Sequence, residues 1–276
     1  MSFLHCGRFR LSLDRTLVMG IINVTPDSFS DGGLNASPPL AVDFAERLIA
    51  DGADILDVGG ESTRPGAQPV GLQEELDRVI PVLEKLRGCP VPVSVDTYKA
   101  EVMRAAIGAG ASMVNDVNAL RAPGALQAVA ASEAAVCLMH MQGEPRTMQD
   151  NPQYTDVVAE VRDFLAERIR ACEAAGIARA RIVADPGFGF GKRTEHNLAL
   201  LRGLGALGAL GVPLLAGLSR KSVLGGITRR EVGDRVHASV AAALLAVAKG
   251  AAIVRVHDVR ATRDALAVWE AVREKA

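Results

Sequence analysis

Short apolar runs that end in polar residues alternate with longer stretches of helical periodicity along almost the whole chain. A short apolar run bounded by turn residues is typical of a buried strand, and a longer stretch with apolar residues on one face is typical of a helix. Eight strands are predicted in this way, at residues 17–22, 55–59, 91–95, 113–114, 135–139, 182–184, 213–218 and 252–256. Eight helices are predicted between and after them, at residues 39–50, 72–86, 100–107, 125–131, 157–175, 195–204, 235–248 and 259–273.

This strict alternation of strand and helix constrains the fold. Strands joined through helices run parallel, by right-handed crossovers. Eight such units in about 250 residues are typical of a closed (β/α)₈ barrel. A doubly wound open sheet is the alternative, but it usually carries a GxGxxG turn after its first strand, and this chain has none there. The sequence therefore predicts one α/β domain over residues 1–276, a parallel eight-stranded TIM barrel.

The amino-acid composition agrees with a barrel and indicates which classes of partner to expect. Hydrophobic residues make up 49% of the chain and aromatic residues only 4%, which is the aliphatic composition of a parallel sheet covered by helices. The formal net charge is −1, from 31 basic and 32 acidic residues, so no overall field favours nucleic acid or an anionic membrane. Small molecules are therefore the expected partners.

The compartment is predicted from what the sequence lacks. The first ten residues have no apolar core of a signal peptide, and no apolar run approaches the roughly 20 residues that cross a bilayer. The four cysteines are far apart, without the CxxC spacing of a zinc site or a redox pair. We expect a cytoplasmic protein.

Polar residues at the predicted strand ends form a first candidate site. The carboxyl ends of all strands of a parallel barrel meet at one rim, which brings together Asp96, Asn115, Asp185 and Lys221. Two carboxylates, an amide and an ammonium suit a flat heterocycle with adjacent N–H donors and a ring acceptor. Each aspartate alone is also compatible with a helix cap, and Lys221 alone with a solvated lysine or a Schiff-base lysine.

A second group at the same rim is suited to an anion. It comprises Asn23, Arg64, Arg255 and His257. Arginine and histidine donate charge-assisted hydrogen bonds, and a phosphate or pyrophosphate is the expected anion in a barrel. Asn23 offers a neutral oxygen to Mg²⁺, which keeps waters and takes further ligands from substrate phosphates. A structural ion pair is the alternative for Arg255, and His140 at another strand end is equally compatible with a structural role.

The glycine-rich segment at residues 185–192 resembles a phosphate loop in composition but lacks the GxxxxGK[ST] spacing. Its glycines are expected to let the backbone and a phenyl ring approach a planar ligand. Phe190 is the candidate for a wall or lid of the site, and a core position is the alternative for Phe188.

Seven motifs, in the same order as in the family, give the chain a resemblance to the dihydropteroate synthases. They are MGIINVTPDSFSDGG from Met19, DVGGESTRPGA from Asp57, VDTYK from Val95, VNDV from Val114, DPGFGFGK from Asp185, GLSRKS from Gly217 and RVHDV from Arg255. The resemblance implies a (β/α)₈ transferase of folate biosynthesis that condenses 6-hydroxymethyl-7,8-dihydropterin pyrophosphate with p-aminobenzoate. It also implies release of 7,8-dihydropteroate and pyrophosphate by a dissociative displacement, a requirement for Mg²⁺, inhibition by sulfonamides, and a homodimer through the later barrel helices.

The resemblance also implies roles for individual residues. The pterin positions are Asp96, Asn115, Asp185 and Lys221, and the pyrophosphate positions are Asn23, Arg64, Arg255 and His257, with Asn23 on the metal. The p-aminobenzoate positions are Phe29, Thr63, Pro65, Phe190 and Ser222. Phe29 and Asp31 lie on a first loop, residues 25–33, which is expected to close with a second loop, residues 62–67, over the substrates. The catalytic set implied is Asn23, Asp31, Arg64, Lys221, Arg255 and His257.

Two other functions remain compatible with a pterin-binding barrel. One is a catalytically silent paralogue that binds a pterin or a partner protein. The other is a methyltransferase that passes a methyl group from a folate to a corrinoid protein, which would need the pterin acids but not the motifs of the two loops.

Overall fold

The computed structural model describes residues 2–24, 38–62, 68–144 and 147–272. Its strands are β1 Phe3–Cys6, β2 Phe9–Ser12, β3 Leu17–Asn23, β4 Ile55–Gly59, β5 Val93–Asp96, β6 Met113–Asp116, β7 Ala135–Met139, β8 Ile182–Asp185, β9 Leu215–Ala216 and β10 Ile253–Val256. Its α-helices are α1 Pro38–Ala50, α2 Leu72–Leu86, α3 Ala100–Ala109, α4 Ala125–Ala130, α5 Val157–Ala174, α6 Thr194–Arg202, α7 Ser222–Thr228, α8 Val236–Ala248 and α9 Val259–Val272.

The predicted parallel barrel is confirmed. Strands β3 to β10 form one eight-stranded sheet in the order β8-β7-β6-β5-β4-β3-β10-β9, and all of its pairs are parallel. A parallel bridge between Ala184 and Leu214 joins the two edges of this sheet. The helices pack outside the strands, as shown by the buried Val79 and Leu83 of α2, which share a core with Val58 and Val95 of the sheet.

The structure differs from the predicted elements around the seventh barrel strand. The predicted strand at residues 213–218 is reduced to the two residues of β9. Pro213 has no N–H to donate, and beyond Gly217 the chain already turns, because the N–H of Lys221 bonds to the carbonyl of Leu218 at 3.3 Å. The short helix α7 was not predicted, since its sequence contains two consecutive glycines, which disfavour helix.

An antiparallel hairpin that precedes the barrel closes its amino-terminal end. Strands β1 and β2 pair around a turn in which Gly7 has a φ of 55°, a conformation that favours glycine. Leu4 and Cys6 of β1 are wholly buried and share a hydrophobic cluster with barrel residues that include Leu17 and Met19. We refer to this cluster as the barrel floor. Its members are Leu4, Cys6, Leu17, Met19, Ile55, Met113, Ala135, Cys137, Val183, Leu215 and Ile253.

Along the strands, the interior of the barrel changes from the apolar floor to a polar opening at the carboxyl ends of the strands, which we call the barrel mouth. Successive side chains of a strand point to opposite faces, so residues two apart face the same side. Two residues after the floor positions Ile55, Met113 and Ile253 come Asp57, Asn115 and Arg255. The polar residues of the mouth are therefore positioned by the same strands that form the floor. In the described part of the chain, no helix combines the length and apolar character needed to span a membrane.

Candidate active site

A buried ion-pair network lies at the centre of the barrel mouth. Arg255 on β10 donates from Nε to Asp57 Oδ2 at 2.6 Å and from Nη2 to Asp96 Oδ2 at 2.8 Å. Asn115 on β6 donates from Nδ2 to the same Asp57 oxygen at 3.0 Å. Asp57 is wholly buried. One carboxylate thus fixes an arginine and an amide that come from opposite parts of the chain.

The charges of this network depend on each other. Burial alone would lower the pKa of Arg255, but the Asp57 and Asp96 carboxylates raise it above its ordinary value. Burial raises the pKa of Asp96, against the opposing charge of Arg255, and the nearby Asp57 carboxylate raises it further. Arg255 is therefore held as a cation between two carboxylates. Breaking such a buried pair from one side costs about 3–5 kcal/mol, because the remaining charge is left uncompensated.

Asp185 and Lys221 form a second part of the mouth. Asp185 ends β8 and accepts a hydrogen bond on Oδ1 from the N–H of Gly187 at 2.7 Å. A Cβ placed on Gly217 would lie 3.9 Å from Asp185 Oδ2 and 4.0 Å from Lys221 Nζ, so both side chains reach the same small space. Burial raises the pKa of Asp185, opposed by Lys221, and burial lowers the pKa of Lys221 to about 8, opposed by Asp185.

The remaining described residues of the two predicted groups also lie at strand ends. Asn23 is the last residue of β3, and His257 follows β10 by one residue. The Nδ1 atom of His257 lies 2.9 Å from Ser219 Oγ, and Ser219 Oγ also accepts the N–H of His257 at 3.2 Å. Ser219 therefore orients the imidazole. Ser222 is the first residue of α7 and is exposed.

The two phenylalanines of the glycine-rich segment occupy different environments. Phe188 is wholly buried in the main hydrophobic core, which confirms the alternative of a core position. Phe190 is half-buried and packs against a cluster of buried residues that includes Met139, Met141 and Met148. The Lys221 ammonium lies 4.6 Å from the centre of the Phe190 ring and donates to the carbonyl of Phe188. The Phe190 ring therefore lies beside Lys221 at the mouth, and its role as a wall stays a prediction.

Five predicted site residues fall outside the described part of the chain. These are Phe29, Asp31, Thr63, Arg64 and Pro65. The predicted lid at residues 25–33 lies there as well. Their roles stay predictions.

Sequence reasoning missed Asp57, although a signal was present. Asp57 lies in the middle of an apolar strand and two residues after Ile55, so its side chain faces the barrel interior as that of Ile55 does. An inward-facing charged residue indicates a buried carboxylate with a partner. It also missed a cluster that holds the stem of the second loop. Lys99 contacts both Glu61 and the buried Glu75, and Tyr98 donates to Glu61 at 2.9 Å.

The described residues contain no group of three or more His, Cys, Asp or Glu side chains that could hold a metal ion. The donor set at the mouth is instead one of carboxylates, amides and cations. Such a set can bind the polar edge of a heterocycle through Asp96, Asn115, Asp185 and Lys221, and an anion through Arg255 and His257.

Known proteins share this architecture and sequence. Residues 19–257 match the family of pterin binding enzymes. A dihydropteroate synthase of Neisseria meningitidis serogroup B is 54% identical, and the match covers 97% of this chain and 96% of that protein. The crystal structure of Yersinia pestis dihydropteroate synthase with a sulfonamide drug is 48% identical with a TM-score of 0.95, and the match covers 98% of this chain and 99% of that one.

A third comparison involves a product complex. The crystal structure of Burkholderia cenocepacia dihydropteroate synthase complexed with 7,8-dihydropteroate is 54% identical with a TM-score of 0.90, and the match covers 99% of this chain and 96% of that one. Identities near one half across almost the full length of each protein go together with the same fold. The chain belongs to the dihydropteroate synthase family of pterin binding enzymes.

Proposed function

We propose that this protein is a transferase that condenses 6-hydroxymethyl-7,8-dihydropterin pyrophosphate with p-aminobenzoate, and that it thereby supplies 7,8-dihydropteroate for folate biosynthesis. The observation that carries the proposal is the direct contact between Arg255 and Asp96 at 2.8 Å. The pterin ring and the pyrophosphate of this substrate are separated by a single carbon. The residues that bind the two parts must therefore be adjacent, and these two side chains are.

The pterin ring is bound by Asp96, Asn115, Asp185 and Lys221. A carboxylate accepts paired N–H bonds from an aminopyrimidinone edge, and Lys221 donates to a ring nitrogen or carbonyl. The burial of Asp185 and Asn115 favours this use, because hydrogen bonds to charged groups are stronger in a site that excludes water.

The pyrophosphate is bound by Arg255 and His257, together with the predicted Arg64 and Asn23. In a dissociative displacement, the bond between the methylene carbon and the pyrophosphate oxygen breaks first, and its electron pair leaves with the oxygen. Arg255 and His257 donate to the oxygens on which negative charge develops. The pterin ring delocalises the positive charge of the methylene carbon until the aniline nitrogen of p-aminobenzoate attacks and loses a proton.

The p-aminobenzoate side comprises Phe190 and Ser222, with the predicted Phe29, Thr63 and Pro65. The Phe190 ring packs on buried methionines and offers a flat apolar face that suits an aromatic substrate. The Yersinia pestis enzyme was solved with a sulfonamide drug, and we expect sulfonamides to compete with p-aminobenzoate here.

Magnesium is proposed to bind at Asn23. Its amide oxygen is a hard neutral donor at the end of β3, and Mg²⁺ commonly uses one or two protein ligands plus water and substrate phosphates. When bound, the ion supplies charge neutralisation to the departing pyrophosphate. Asn23→Ala should raise the Mg²⁺ concentration needed for half-maximal activity, and an unchanged requirement would remove Asn23 from the metal site.

The direct test of the activity uses the purified full chain. Incubation with the pterin pyrophosphate and p-aminobenzoate should give 7,8-dihydropteroate and pyrophosphate in equal amounts, detected by chromatography and a phosphate-release assay. Asp185→Ala should lose pterin affinity and product formation together. Pterin binding without product would support the silent paralogue, and methyl transfer from a folate to a corrinoid protein would support the methyltransferase.

We also propose a cytoplasmic homodimer. Free thiols at Cys6, Cys89, Cys137 and Cys172, three of them buried, fit a reducing compartment. Large apolar side chains are exposed on the later helices, at Ile227, Leu245, Val268 and Val272. Sedimentation of the wild type and of Leu245→Glu tests the dimer, which the charged variant should weaken.

A further inference from the structure

His140 and Lys192 form a buried pair beside the site that the proposed chemistry does not use. His140 follows β7 and is 6% exposed, and Lys192 ends the glycine-rich segment and is 3% exposed. Lys192 Nζ lies 2.9 Å from His140 Nδ1. A lysine this deeply buried needs hydrogen-bond partners, since an unpaired buried ammonium is strongly unfavourable.

The partners of Lys192 satisfy all of its donors. Besides the imidazole, Nζ donates to the carbonyls of Gly187 at 2.9 Å and of Phe190 at 3.0 Å, and the carbonyl of His140 is a longer fourth contact at 3.4 Å. An ammonium has three N–H donors and no acceptor. Burial lowers the pKa of Lys192 to about 7, against the opposing charge of Asp185. The Lys192 side chain therefore links the backbone at Gly187 and Phe190 to His140 at the end of β7.

The backbone of residues 187–190, to which Lys192 donates, packs directly on the end of β7. Gly187 has a φ of 69°, and a Cβ placed on it would lie 1.9 Å from the carbonyl oxygen of His140. Gly189 is held by two further contacts, because its N–H bonds to Asn197 Oδ1 at 2.7 Å and its carbonyl accepts from Gln149 Nε2 at 2.5 Å. The backbone of this segment is therefore fixed from several sides.

Residues 187–190 also include or contact the side chains that are proposed to bind the substrates. The carbonyl of Phe188 accepts from Lys221, and the Phe190 ring lies under the Lys221 ammonium. A displacement of residues 187–190 would move both the proposed pterin lysine and the proposed aminobenzoate wall. Misplacement of a substrate-binding group by about 1 Å can cost on the order of 100-fold in rate.

We propose that Lys192, together with His140, is a positioning residue that sets Lys221 and Phe190 through the backbone of residues 187–190. The inference rests on the proposed function, because Lys221 and Phe190 gain their roles there. It gives His140 a role without contact to substrate.

The test compares two buried cations at opposite ends of β8. Lys192→Met removes the donors and keeps an unbranched chain of similar length. The control is Arg181→Met, since Arg181 is also buried and donates to the carbonyls of Ala134 and Val129 at the other end of the strand. Both variants should lower the urea midpoint. Lys192→Met alone should raise the KM for p-aminobenzoate and lower kcat/KM by about 10- to 100-fold per folded protein.

Hydrogen exchange separates a failure of this inference from a failure of the proposed function. The amides of Gly189 and Phe190 should exchange faster in Lys192→Met than in wild type or Arg181→Met, whether or not the protein makes dihydropteroate. Wild-type kcat/KM and wild-type exchange in Lys192→Met would overturn the proposal. If that variant does not fold, His140→Gln replaces it, with a smaller rise in the same KM expected and a wild-type KM as the contrary result.

Discussion

The floor and the mouth of the barrel are built on the same strands, yet they are opposite in chemistry. The floor packs Leu4 of the hairpin against Met19 and its neighbours without a charged side chain in the cluster. The mouth, two residues further along the strands, holds Asp57 and Arg255 in contact and out of water. The difference shows how one parallel barrel separates stability from chemistry along each strand.

The two ends also differ in what burial does to the free energy of folding. Burial of apolar surface in the floor stabilises the fold by about 25 cal/mol per Å². Burial of ionised groups in the mouth is unfavourable unless their partners offset the desolvation. We therefore expect floor substitutions to change stability and leave activity unchanged, and mouth substitutions to lower activity whether or not they also lower stability.

The largest expected effect comes from removing the Asp57 carboxylate at the mouth. Asp57→Asn removes the charge that fixes Arg255, so kcat/KM should fall by about two to three orders of magnitude, the equivalent of roughly 3–4 kcal/mol. The matched control is Asp54→Asn, directly before the amino-terminal end of the same strand, where Asp54 pairs with Arg15 and Arg263. This control should lower the denaturation midpoint and keep kcat/KM. Similar kinetic losses in both variants would contradict the division between the two ends.

A substitution in the barrel floor tests the same comparison at the other end of the barrel. Leu4→Ala leaves a cavity where the hairpin meets the barrel, since Leu4 is wholly buried there. We expect a loss of about 2–5 kcal/mol in the free energy of unfolding, measured with urea. Steady-state kinetics of the folded fraction should match the wild type. A large drop in kcat at full folding would show that floor and mouth are coupled.

The smallest effect is a pH dependence of the mouth. Because burial lowers the pKa of Lys221 to about 8, the ammonium loses its proton as the pH rises through that value. The charged groups that act on it are Asp185, Asp96 and Arg255. The kcat/KM for the pterin substrate should therefore fall above pH 8, by up to tenfold per unit. Lys221→Arg stays charged and should lose this decline, whatever its absolute rate; an unchanged decline would assign it to another group.

The barrel could be predicted from sequence because its signal is repeated. Eight apolar runs with polar ends define the strands even where single boundaries are off, as for β9. The hairpin was not predicted, although Phe3–Cys6 and Phe9–Ser12 flank a Gly-Arg turn. Four-residue strands that pair only with each other give a weak pattern, and the burial of Leu4 depends on the barrel floor below it.

The site could be predicted in its members but not in its connections. Strand-end positions and motifs identified Asp96 and Arg255, whereas their ion pair depends on the register that places distant strands face to face. The sequence treats these two as parts of separate groups, and the structure joins them. Lys192 could not be found, because nothing in a loop sequence shows that a lysine turns inward to buried acceptors.

The central claim is that adjacent parts of one mouth bind the pterin and the pyrophosphate. Titration calorimetry with the free hydroxymethyl-dihydropterin and with its pyrophosphate, on wild type, Asp185→Ala and His257→Ala, tests it most directly. Asp185→Ala should weaken both ligands alike, and His257→Ala should weaken only the pyrophosphate, by about 10- to 100-fold as for a lost bond to a charged group. Equal loss of affinity for the free pterin in both variants would contradict the account.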